Sequence, residues 1–286
     1  MPDPVPRLRF APSPNGELHL GHAYSALKTW QIADRLGGEV LLRIEDIDMG
    51  RTRQHYIDQI FEDLDWLGLS WPEPVRRQSE YFDDYRSAAR KLSDLGLLYP
   101  CAATRKEIAS AVADRPGWPT DPDGAPLYPG LWKIAGQGDP ATKVSPGTPV
   151  AHRIDMDRAL NRSGKLQFEV FDEDGTVETR TANPAEWGDA IIVRKDTPTS
   201  YHLSVVVDDA LQGITHVTRG RDLEAATSLH VLLQKLLGLP SLRYHHHRLI
   251  TDSAGRKLSK SLRDTSLRHL RDIGWTPADV YTAVGL

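Results

Sequence analysis

The first 44 residues contain the pattern that most constrains the fold, which is a strand, a turn, a helix and a second strand. Residues 8–11 are predicted to form a short strand, and two prolines and a glycine between positions 12 and 16 fix an irregular turn. A helix follows His22, with apolar residues at helical spacing until Gly37 and Gly38 end it. Residues 39–44 form an apolar strand. Strands joined by a helix pair in parallel, so we predict an α/β fold with a doubly wound parallel sheet.

The start of this helix has the composition of an anion-binding site. The first amides of a helix have no partners within it, and the positive end of the helix dipole lies close to them. His19 and His22 add hydrogen-bond donors there, and Gly21 allows a ligand to approach the backbone. The same residues also fit a proline-rich turn before a surface helix with two solvated histidines, so spacing alone leaves both interpretations open.

The remaining pattern of strands and helices places further residues near this turn. Ligands of doubly wound sheets bind at the carboxyl ends of the strands, so we expect residues 9–13 and 45–48 to converge there. The sequence predicts helices over 57–67, 79–95 with Ser79 as N-cap, 106–113, 223–237, 267–273 and 277–284. It predicts strands over 151–154, 166–171, 204–207, 214–220 and 244–250.

Residues 101–190 differ from the rest of the chain and are predicted to be an inserted α+β subdomain. They become rich in Pro, Gly and Asp between positions 116 and 124. The insertion would separate two halves of a nucleotide-binding domain, residues 1–100 and 191–262. Residues 263–286 would then form a short helical tail.

The composition is that of an ordinary globular protein, with 40% hydrophobic and 26% charged residues and a net charge of −4. No apolar run approaches the ~20 residues of a membrane span, and no signal-peptide pattern begins the chain. A single cysteine excludes an internal disulfide framework. We therefore expect a cytoplasmic protein without a membrane partner.

Positive charge is concentrated near the carboxyl end. The segment from Arg243 to Arg271 contains eight Lys or Arg and only two Asp. Within it, Arg256–Ser261 places two lysines and two hydroxyls on a polar loop. A cationic region on an acidic body suits contact with a phosphate-rich partner. A solvated charged face is the alternative that charge alone leaves open.

Together, these two stretches resemble the signature pair of the class I aminoacyl-tRNA synthetases. His19–His22 corresponds to the first signature, and Lys257–Ser261 to the second. The flanking runs 9–14 and 43–48 are similar to those of the glutamyl and glutaminyl branch. The resemblance implies a Rossmann-type catalytic core that uses ATP and Mg²⁺ to convert L-glutamate to glutamyl-adenylate.

The resemblance also implies roles for individual residues. His19, His22 and Lys260 would be catalytic, and Gly21, Lys257 and Ser259 would join them in binding ATP. Glutamate would be bound by five residues: Arg9 to its side-chain carboxylate, Glu45 to its ammonium, with Ser13, Tyr201 and Arg219 completing the site. Simpler interpretations remain open. Glu45 could pair with Arg43 or Arg51, Tyr201 could be a core residue, and Arg219 could bond to Asp222.

Zinc is the point at which the chain departs from this family. Many relatives carry four zinc ligands, of which only Cys101 and Tyr128 remain here. A structural zinc normally needs all four, so we expect none, with apolar packing of Cys101, Ala103 and Trp132 in its place. The three histidines at positions 245–247 alternate in direction along a strand, so a metal site is not expected there either.

Few residues follow the lysine loop, too few for an independent domain. Longer members of the family continue there into a domain that reads the anticodon, which this chain is expected to lack. The chain therefore most resembles the truncated paralogues of glutamyl-tRNA synthetase, which attach glutamate to queuosine in the anticodon loop of tRNA(Asp). The alternatives are a minimal glutamyl- or glutaminyl-tRNA synthetase and a non-catalytic RNA- or nucleotide-binding protein. We expect a monomer, although no residue pattern decides this.

Overall fold

The computed structural model describes residues 5–133, 149–251 and 265–286. The helices are α1 Leu20–Leu36, α2 Gln54–Trp66, α3 Phe82–Asp94, α4 Arg105–Val112, α5 Met156–Ser163, α6 Tyr201–Leu211, α7 Ala226–Leu237, α8 Leu267–Asp272 and α9 Pro277–Val284. The strands are β1 Arg7–Phe10, β2 Glu39–Ile44, β3 Arg76–Arg77, β4 Leu98–Cys101, β5 Ala151–Ile154, β6 Gln167–Phe171, β7 Val177–Thr181, β8 Ile191–Val193, β9 His216–Gly220 and β10 Arg243–His247.

A mainly parallel sheet forms the centre of the molecule. One part has the order β1-β2-β3 with all pairs parallel, and another has the order β7-β6-β10-β9, with only the edge strand β7 antiparallel. The two parts meet between β1 and β9, where the Thr215 N–H donates to the Arg7 carbonyl oxygen at 2.9 Å. Helices connect successive strands, so the predicted doubly wound α/β fold is confirmed.

A small antiparallel sheet, in the order β4-β5-β8, lies within and beside the predicted insertion. The later part of that segment does not stand apart, because β6 pairs in parallel with β10 and so extends the central sheet. The domain boundaries given above therefore remain a prediction.

The first crossover forms as the sequence predicts, and two glycines explain its sharp end. Gly37 ends α1 in the left-handed region with φ of +62°, which glycine adopts without steric cost. At Gly38, a Cβ atom would lie 2.4 Å from the Pro6 carbonyl oxygen. The chain can therefore turn directly from α1 into β2, which pairs with β1 from Arg7 opposite Glu39.

The predicted strand over residues 204–207 is wrong, because these residues lie within α6. The Ser200 hydroxyl accepts a hydrogen bond from the Leu203 N–H and caps this helix. Residues 203–209 are all buried. A helix buried on every side shows no polar face, so its β-branched run has the same pattern as an internal strand.

The prediction that Ser79 caps α3 is also wrong. The N-cap is Tyr81, and Ser79 lies in a 3₁₀ turn over Gln78–Glu80. The Ser79 hydroxyl and N–H donate to the two carboxylate oxygens of Asp46, each at 2.7 Å. The serine therefore fixes the chain that leaves β2 rather than the start of the helix.

Two hydrophobic clusters support the sheet. One packs α1, α2, α8 and α9 against β1 and β2, and the other packs α3, α5, α6 and α7 around β9 and β10. No helix in the described ranges combines the length and apolar character needed to cross a membrane.

Candidate active site

A cavity of about 500 Å³ opens where β1, β2, β9 and β10 end, beside the start of α1. It is lined by every predicted site residue that the structure describes: Arg9, Ser13, His19, Gly21, His22, Glu45, Tyr201 and Arg219. Residues 9–13 and Glu45 thus meet at one sheet edge, as the strand pattern predicts. The predicted residues Lys257, Ser259 and Lys260 lie outside the described residues.

The two histidines at the start of α1 cap the helix. His19 is the N-cap, and its Nδ1 accepts from the Gly21 N–H at 3.1 Å, while His22 Nδ1 accepts from the His19 N–H at 3.2 Å. A ring nitrogen that accepts a hydrogen bond carries no proton, so each imidazole is neutral with its proton on Nε2. The capping arrangement therefore makes Nε2–H the donor of both rings.

Gly21 serves the His19 ring as well as the cavity. A Cβ atom at position 21 would lie 2.9 Å from His19 Cε1 and 3.1 Å from its Nδ1. A side chain there would displace the imidazole and break the cap. The glycine is thus required by a protein contact in addition to the ligand approach predicted from sequence.

Arg9 is fixed by a buried group of opposite charges. Its Nε donates to Asp209 Oδ1 at 3.1 Å, and its Nη1 donates to the Thr218 carbonyl oxygen at 3.3 Å. Asp209 also accepts from Arg43 Nη1 at 2.8 Å. Burial acts to raise the pKa of Asp209, but Arg9 and Arg43 hold it below its usual range. The carboxylate therefore stays ionised and anchors both guanidinium groups.

Glu45 forms the ion pair with Arg43 that the sequence left as an alternative. Arg43 Nη2 donates to Glu45 Oε1 at 3.1 Å, and the arginine side chain is fully buried. Glu45 nevertheless lines the cavity. Burial raises the pKa of this carboxyl, opposed by Arg43 and Arg9. The pairing holds one oxygen and leaves the residue at the wall, so its role toward an ammonium group stays a prediction.

Arg219 does not bond to Asp222, which had been the alternative for it. Its Nη2 donates to Thr227 Oγ1 at 2.6 Å, and its Nη1 donates to His230 Nδ1 at 3.1 Å. Tyr201 lies beside it, with its ring centroid 5.7 Å from that of His230, and burial raises the pKa of the tyrosine hydroxyl. Both predicted residues line the cavity.

The segment that carries the predicted lysine motif begins and ends beside the cavity. On its amino-terminal side, Ile250 lines the cavity. On its carboxyl-terminal side, Ser266 forms a β-bridge with His19, and the Leu267 N–H donates to the Leu18 carbonyl oxygen at 2.8 Å. Residues 252–264 thus connect two points next to the start of α1.

The predicted zinc remnant forms a hydrogen-bonded pair. The Cys101 thiol donates to the Tyr128 hydroxyl oxygen at 3.4 Å, and the same oxygen accepts from the Trp132 N–H at 2.7 Å. The Arg153 guanidinium lies 4.0 Å from the centre of the tyrosine ring. These contacts are more polar than the packing we expected. The absence of structural zinc stays a prediction.

The three histidines of β10 bond to different groups. His245 contacts the Phe171 carbonyl oxygen, His246 contacts Thr227, and His247 contacts Ser25 and the Arg248 carbonyl oxygen. Among the described residues, no group of three or more His, Cys, Asp or Glu has the geometry of a metal site.

Several cavity residues were not predicted as site residues. They lie at the ends of β9 and β10, in the turn before α1 or on α1 itself, and they are Asn15, Ser25, Thr218, Asp222, His247 and Arg248. The carboxyl end of β10 is a signal that strand topology could have supplied. Asn15 lay within the first motif but no role was assigned to it.

With this geometry established, comparison with known proteins decides the family. The family model described as "tRNA synthetases class I (E and Q), catalytic domain" matches residues 6–122 and 161–286. The chain belongs to this family. In a chain of this family, the two signature motifs are expected to lie at one cavity. The first of them, His19–His22, lies at the cavity described above.

Relatives within the family differ in length. The chain is 44% identical to the glutamyl-Q tRNA(Asp) synthetase of Rhodobacter capsulatus, over 97% of this chain and 99% of that protein. It is 36% identical to a glutamate–tRNA ligase of Aquifex aeolicus, covering 96% of this chain but 55% of the relative. The crystal structure of a glutamate-tRNA synthetase from Elizabethkingia anophelis superposes with a TM-score of 0.72 at 27% identity, over 95% of this chain and 54% of that one.

Proposed function

We propose that the chain activates glutamate with ATP and transfers it to the queuosine base in the anticodon of tRNA(Asp). The observation that carries this proposal is the 44% identity over nearly the full length of a relative named glutamyl-Q tRNA(Asp) synthetase. The cavity supports it, because two arginines, a glutamate and the amide end of a helix lie at one wall. These groups complement the carboxylates and ammonium of glutamate and the phosphates of ATP.

In the first step, an oxygen of the glutamate α-carboxylate attacks the α-phosphorus of ATP. The bond from that phosphorus to the bridging oxygen breaks, and pyrophosphate leaves. No protein nucleophile takes part, so catalysis comes from positioning and from stabilising charge. Arg9 binds the side-chain carboxylate of glutamate, Glu45 accepts from its ammonium, and Ser13, Tyr201 and Arg219 complete the site.

The helix start binds the phosphates. His19 and His22 donate from Nε2–H, since their Nδ1 atoms accept from backbone amides. Neutral imidazoles of fixed tautomer present donors without needing to be protonated. Gly21 keeps the backbone open to the ligand.

The lysine motif supplies positive charge in this proposal. Lys257 and Ser259 would contact ATP, and Lys260 would neutralise the charge that grows on the leaving pyrophosphate. Mg²⁺ is expected to arrive on the phosphate oxygens, because the described residues provide no three-ligand group of their own. A Mg²⁺ held in this way would supply further charge neutralisation.

In the second step, a hydroxyl of the cyclopentene ring of queuosine attacks the carbonyl carbon of glutamyl-adenylate. An ester bond to queuosine forms, the bond from that carbon to the phosphate oxygen breaks, and AMP leaves with the hydroxyl proton on its phosphate. The anticodon loop is single-stranded and can present a splayed base to the cavity, as RNA-modifying enzymes require. The substrates are those of the cytoplasm, which remains the expected location. We expect the enzyme to act as a monomer.

Two assays test this function. Glutamate-dependent exchange of labelled pyrophosphate into ATP, run with and without tRNA, should be positive and separates an enzyme from a binding protein. Labelled glutamate should then enter an anticodon stem–loop of tRNA(Asp) that carries queuosine. The same stem–loop with guanosine at that position is the matched control and should stay unlabelled.

The alternatives give opposite results. A minimal glutamyl- or glutaminyl-tRNA synthetase would charge tRNA(Glu) or tRNA(Gln) and leave the stem–loop unlabelled, because the stem–loop has no acceptor end. A non-catalytic protein would bind RNA or nucleotide without exchange. Either result overturns the proposed function.

A further inference from the structure

Arg219 is a buried cation at the cavity wall whose hydrogen-bond partners in the described chain are uncharged. The residue is 4% exposed, and it donates to the Thr227 hydroxyl and to a His230 ring nitrogen. Its Nε has no hydrogen-bond partner among the described residues. Arg9, which also lines the cavity, is instead bonded to the Asp209 carboxylate. Since buried charges are normally balanced, Arg219 has charge available for an anionic ligand.

Thr227 and His230, which accept hydrogen bonds from Arg219, belong to a larger network of hydrogen-bonded side chains. His230 Nε2 lies 3.1 Å from His202 Nδ1, and Thr227 Oγ1 lies 3.0 Å from His246 Nε2. Arginine can only donate, so His230 Nδ1 must accept, and the His230 proton lies on Nε2, which donates to His202. The Thr227 hydroxyl oxygen also accepts from Arg219, and it shares a second hydrogen bond with His246. The direction of the bonds at His230 follows from Arg219.

The three histidines of this hydrogen-bonded network, His202, His230 and His246, are neutral at physiological pH. Burial, reinforced by the charge of Arg219, lowers the pKa of His202 to about 4 and that of His246 to about 3. The same causes hold the pKa of His230 well below its usual value. Neutrality matters here, because a protonated His230 would donate from both nitrogens and could not accept from the guanidinium.

We infer that His230 and Thr227 are positioning residues, which fix the Arg219 guanidinium with neutral acceptors and keep its positive charge for a carboxylate of the substrate. The inference rests on the proposed function, which makes glutamate that substrate. Both residues lie on α7, behind the cavity wall, and neither lines the cavity. The His230 ring also packs against Tyr201, a second residue that lines the cavity.

Three variants at position 230 separate the roles of acceptor and charge. His230→Gln keeps a neutral acceptor, His230→Leu removes the acceptor, and His230→Glu keeps an acceptor but adds a negative charge next to Arg219. Thr227→Ser and Thr227→Val form a second pair with the hydroxyl kept or removed. His216→Gln is the matched control, because His216 is a buried histidine on the same strand as Arg219 and bonds only to Thr215 among the described side chains.

The measurement is KM for glutamate and for ATP in the exchange assay. Loss of one hydrogen bond to a charged group is worth about tenfold or more in binding. We therefore expect His230→Leu and Thr227→Val to raise KM for glutamate by about tenfold. The Gln and Ser variants should stay within about threefold of the wild type, and KM for ATP should be unchanged throughout. The decisive variant is His230→Glu, which should raise KM for glutamate at least as much as His230→Leu although it binds Arg219 more strongly.

These measurements distinguish failure of the positioning role from failure of the proposed function. If the wild type exchanges but His230→Glu binds glutamate normally, or if KM for both substrates rises together, the positioning role is wrong and the function stands. If the wild type does not exchange, calorimetric titration with glutamate decides. Tenfold weaker binding by His230→Leu than by the wild type would uphold the positioning role, whereas equal or undetectable binding would overturn it.

Discussion

His19 and Gly21 act as one unit, because the His19 ring keeps its position only while residue 21 has no side chain. The imidazole occupies the space that a Cβ atom would need, and its Nδ1 caps the amide beneath it. Both residues line the cavity. The geometry of the helix cap thus requires the same two residues to which we assigned a role in the proposed phosphate binding.

This unit gives a prediction for Gly21→Ala. Alanine in a helix normally stabilises by up to about 1 kcal/mol relative to glycine, but here the added methyl group must displace the His19 ring. The loss of a cap costs about 1 kcal/mol, so we expect it to offset this gain and leave the free energy of unfolding within about 1 kcal/mol of the wild type. KM for ATP should rise more than KM for glutamate.

The check is urea unfolding together with exchange kinetics. Gly50→Ala is the control, because the nearest atom to a Cβ there is 3.5 Å away. A stabilised Gly21→Ala protein with normal KM for ATP would show that the ring moves aside at no cost.

At the scale of elements, α2 and α8 meet through a buried acid. Asp63 on α2 is 1% exposed, and neither of its carboxylate oxygens has a hydrogen-bond partner among the described residues. The nearest described cation is Arg271 on α8, whose Nη1 lies 3.8 Å from Asp63 Oδ1. Burial, only partly offset by Arg271, raises the pKa of Asp63 to about 7. The helix that follows residues 252–264 is thus held against a carboxyl that is partly protonated at neutral pH.

We therefore predict that Asp63→Asn stabilises the protein at high pH. Above the raised pKa, the folded wild type must bury a charge, whereas the unfolded chain leaves it in water. The gain should be about 1 to 3 kcal/mol at pH 8 and should vanish toward pH 3, where the acid is protonated in both states. Urea unfolding at these two pH values measures it.

Glu62→Gln is the control for this prediction. Glu62 is exposed, and Arg271 bonds to it at 3.3 Å, so its removal should change stability by less than about 1 kcal/mol. Destabilisation by Asp63→Asn at pH 8 would mean that the attraction to Arg271 outweighs the cost of burial.

The elements also show what the sequence can predict. Strands β1 and β2 and helices α1, α8 and α9 were predicted nearly to the residue, because caps, glycines and amphipathic spacing are local signals. Helix α6 was missed because its burial on all sides removes the period on which the prediction depends.

At the site, the sequence identified residues but not their partners. Arg9 and Asp209 are 200 positions apart, and Arg43 and Asp209 are 166 apart, so no local pattern links them. His230 and Thr227 carried no signal at all, because each has the ordinary environment of a buried helix residue until Arg219 is placed beside it.

At the scale of the whole molecule, buried histidines control acid stability. Besides the three behind Arg219, burial lowers the pKa of His152, His216 and His247. The unfolded chain binds protons on these rings below about pH 6.5, whereas the folded chain does so only at lower pH. Stability is therefore lost as the pH falls from about 6.5 toward 4. The raised pKa values of Glu45 and Asp63 act in the opposite direction and offset part of the loss.

We predict a net fall in the free energy of unfolding between pH 6.5 and pH 5. Each histidine with a lowered pKa contributes up to about 1.4 kcal/mol per pH unit. His202→Gln should reduce the slope by up to that amount, and substitution of the exposed His55 should leave it unchanged. A wild-type protein equally stable at pH 5 and pH 6.5 would contradict the prediction.

Asp209 links these scales, because a single carboxylate serves Arg43 in the interior and Arg9 at the cavity wall. A mutation of Asp209 that changes its interior bond to Arg43 also shifts the Arg9 guanidinium, the group proposed above to bind the amino acid. Mutations selected for greater stability and mutations selected for a different substrate would therefore both act through Asp209 Oδ1, so the two properties are coupled. To change stability and substrate binding separately, an engineered variant should first provide Arg9 and Arg43 with separate carboxylate partners.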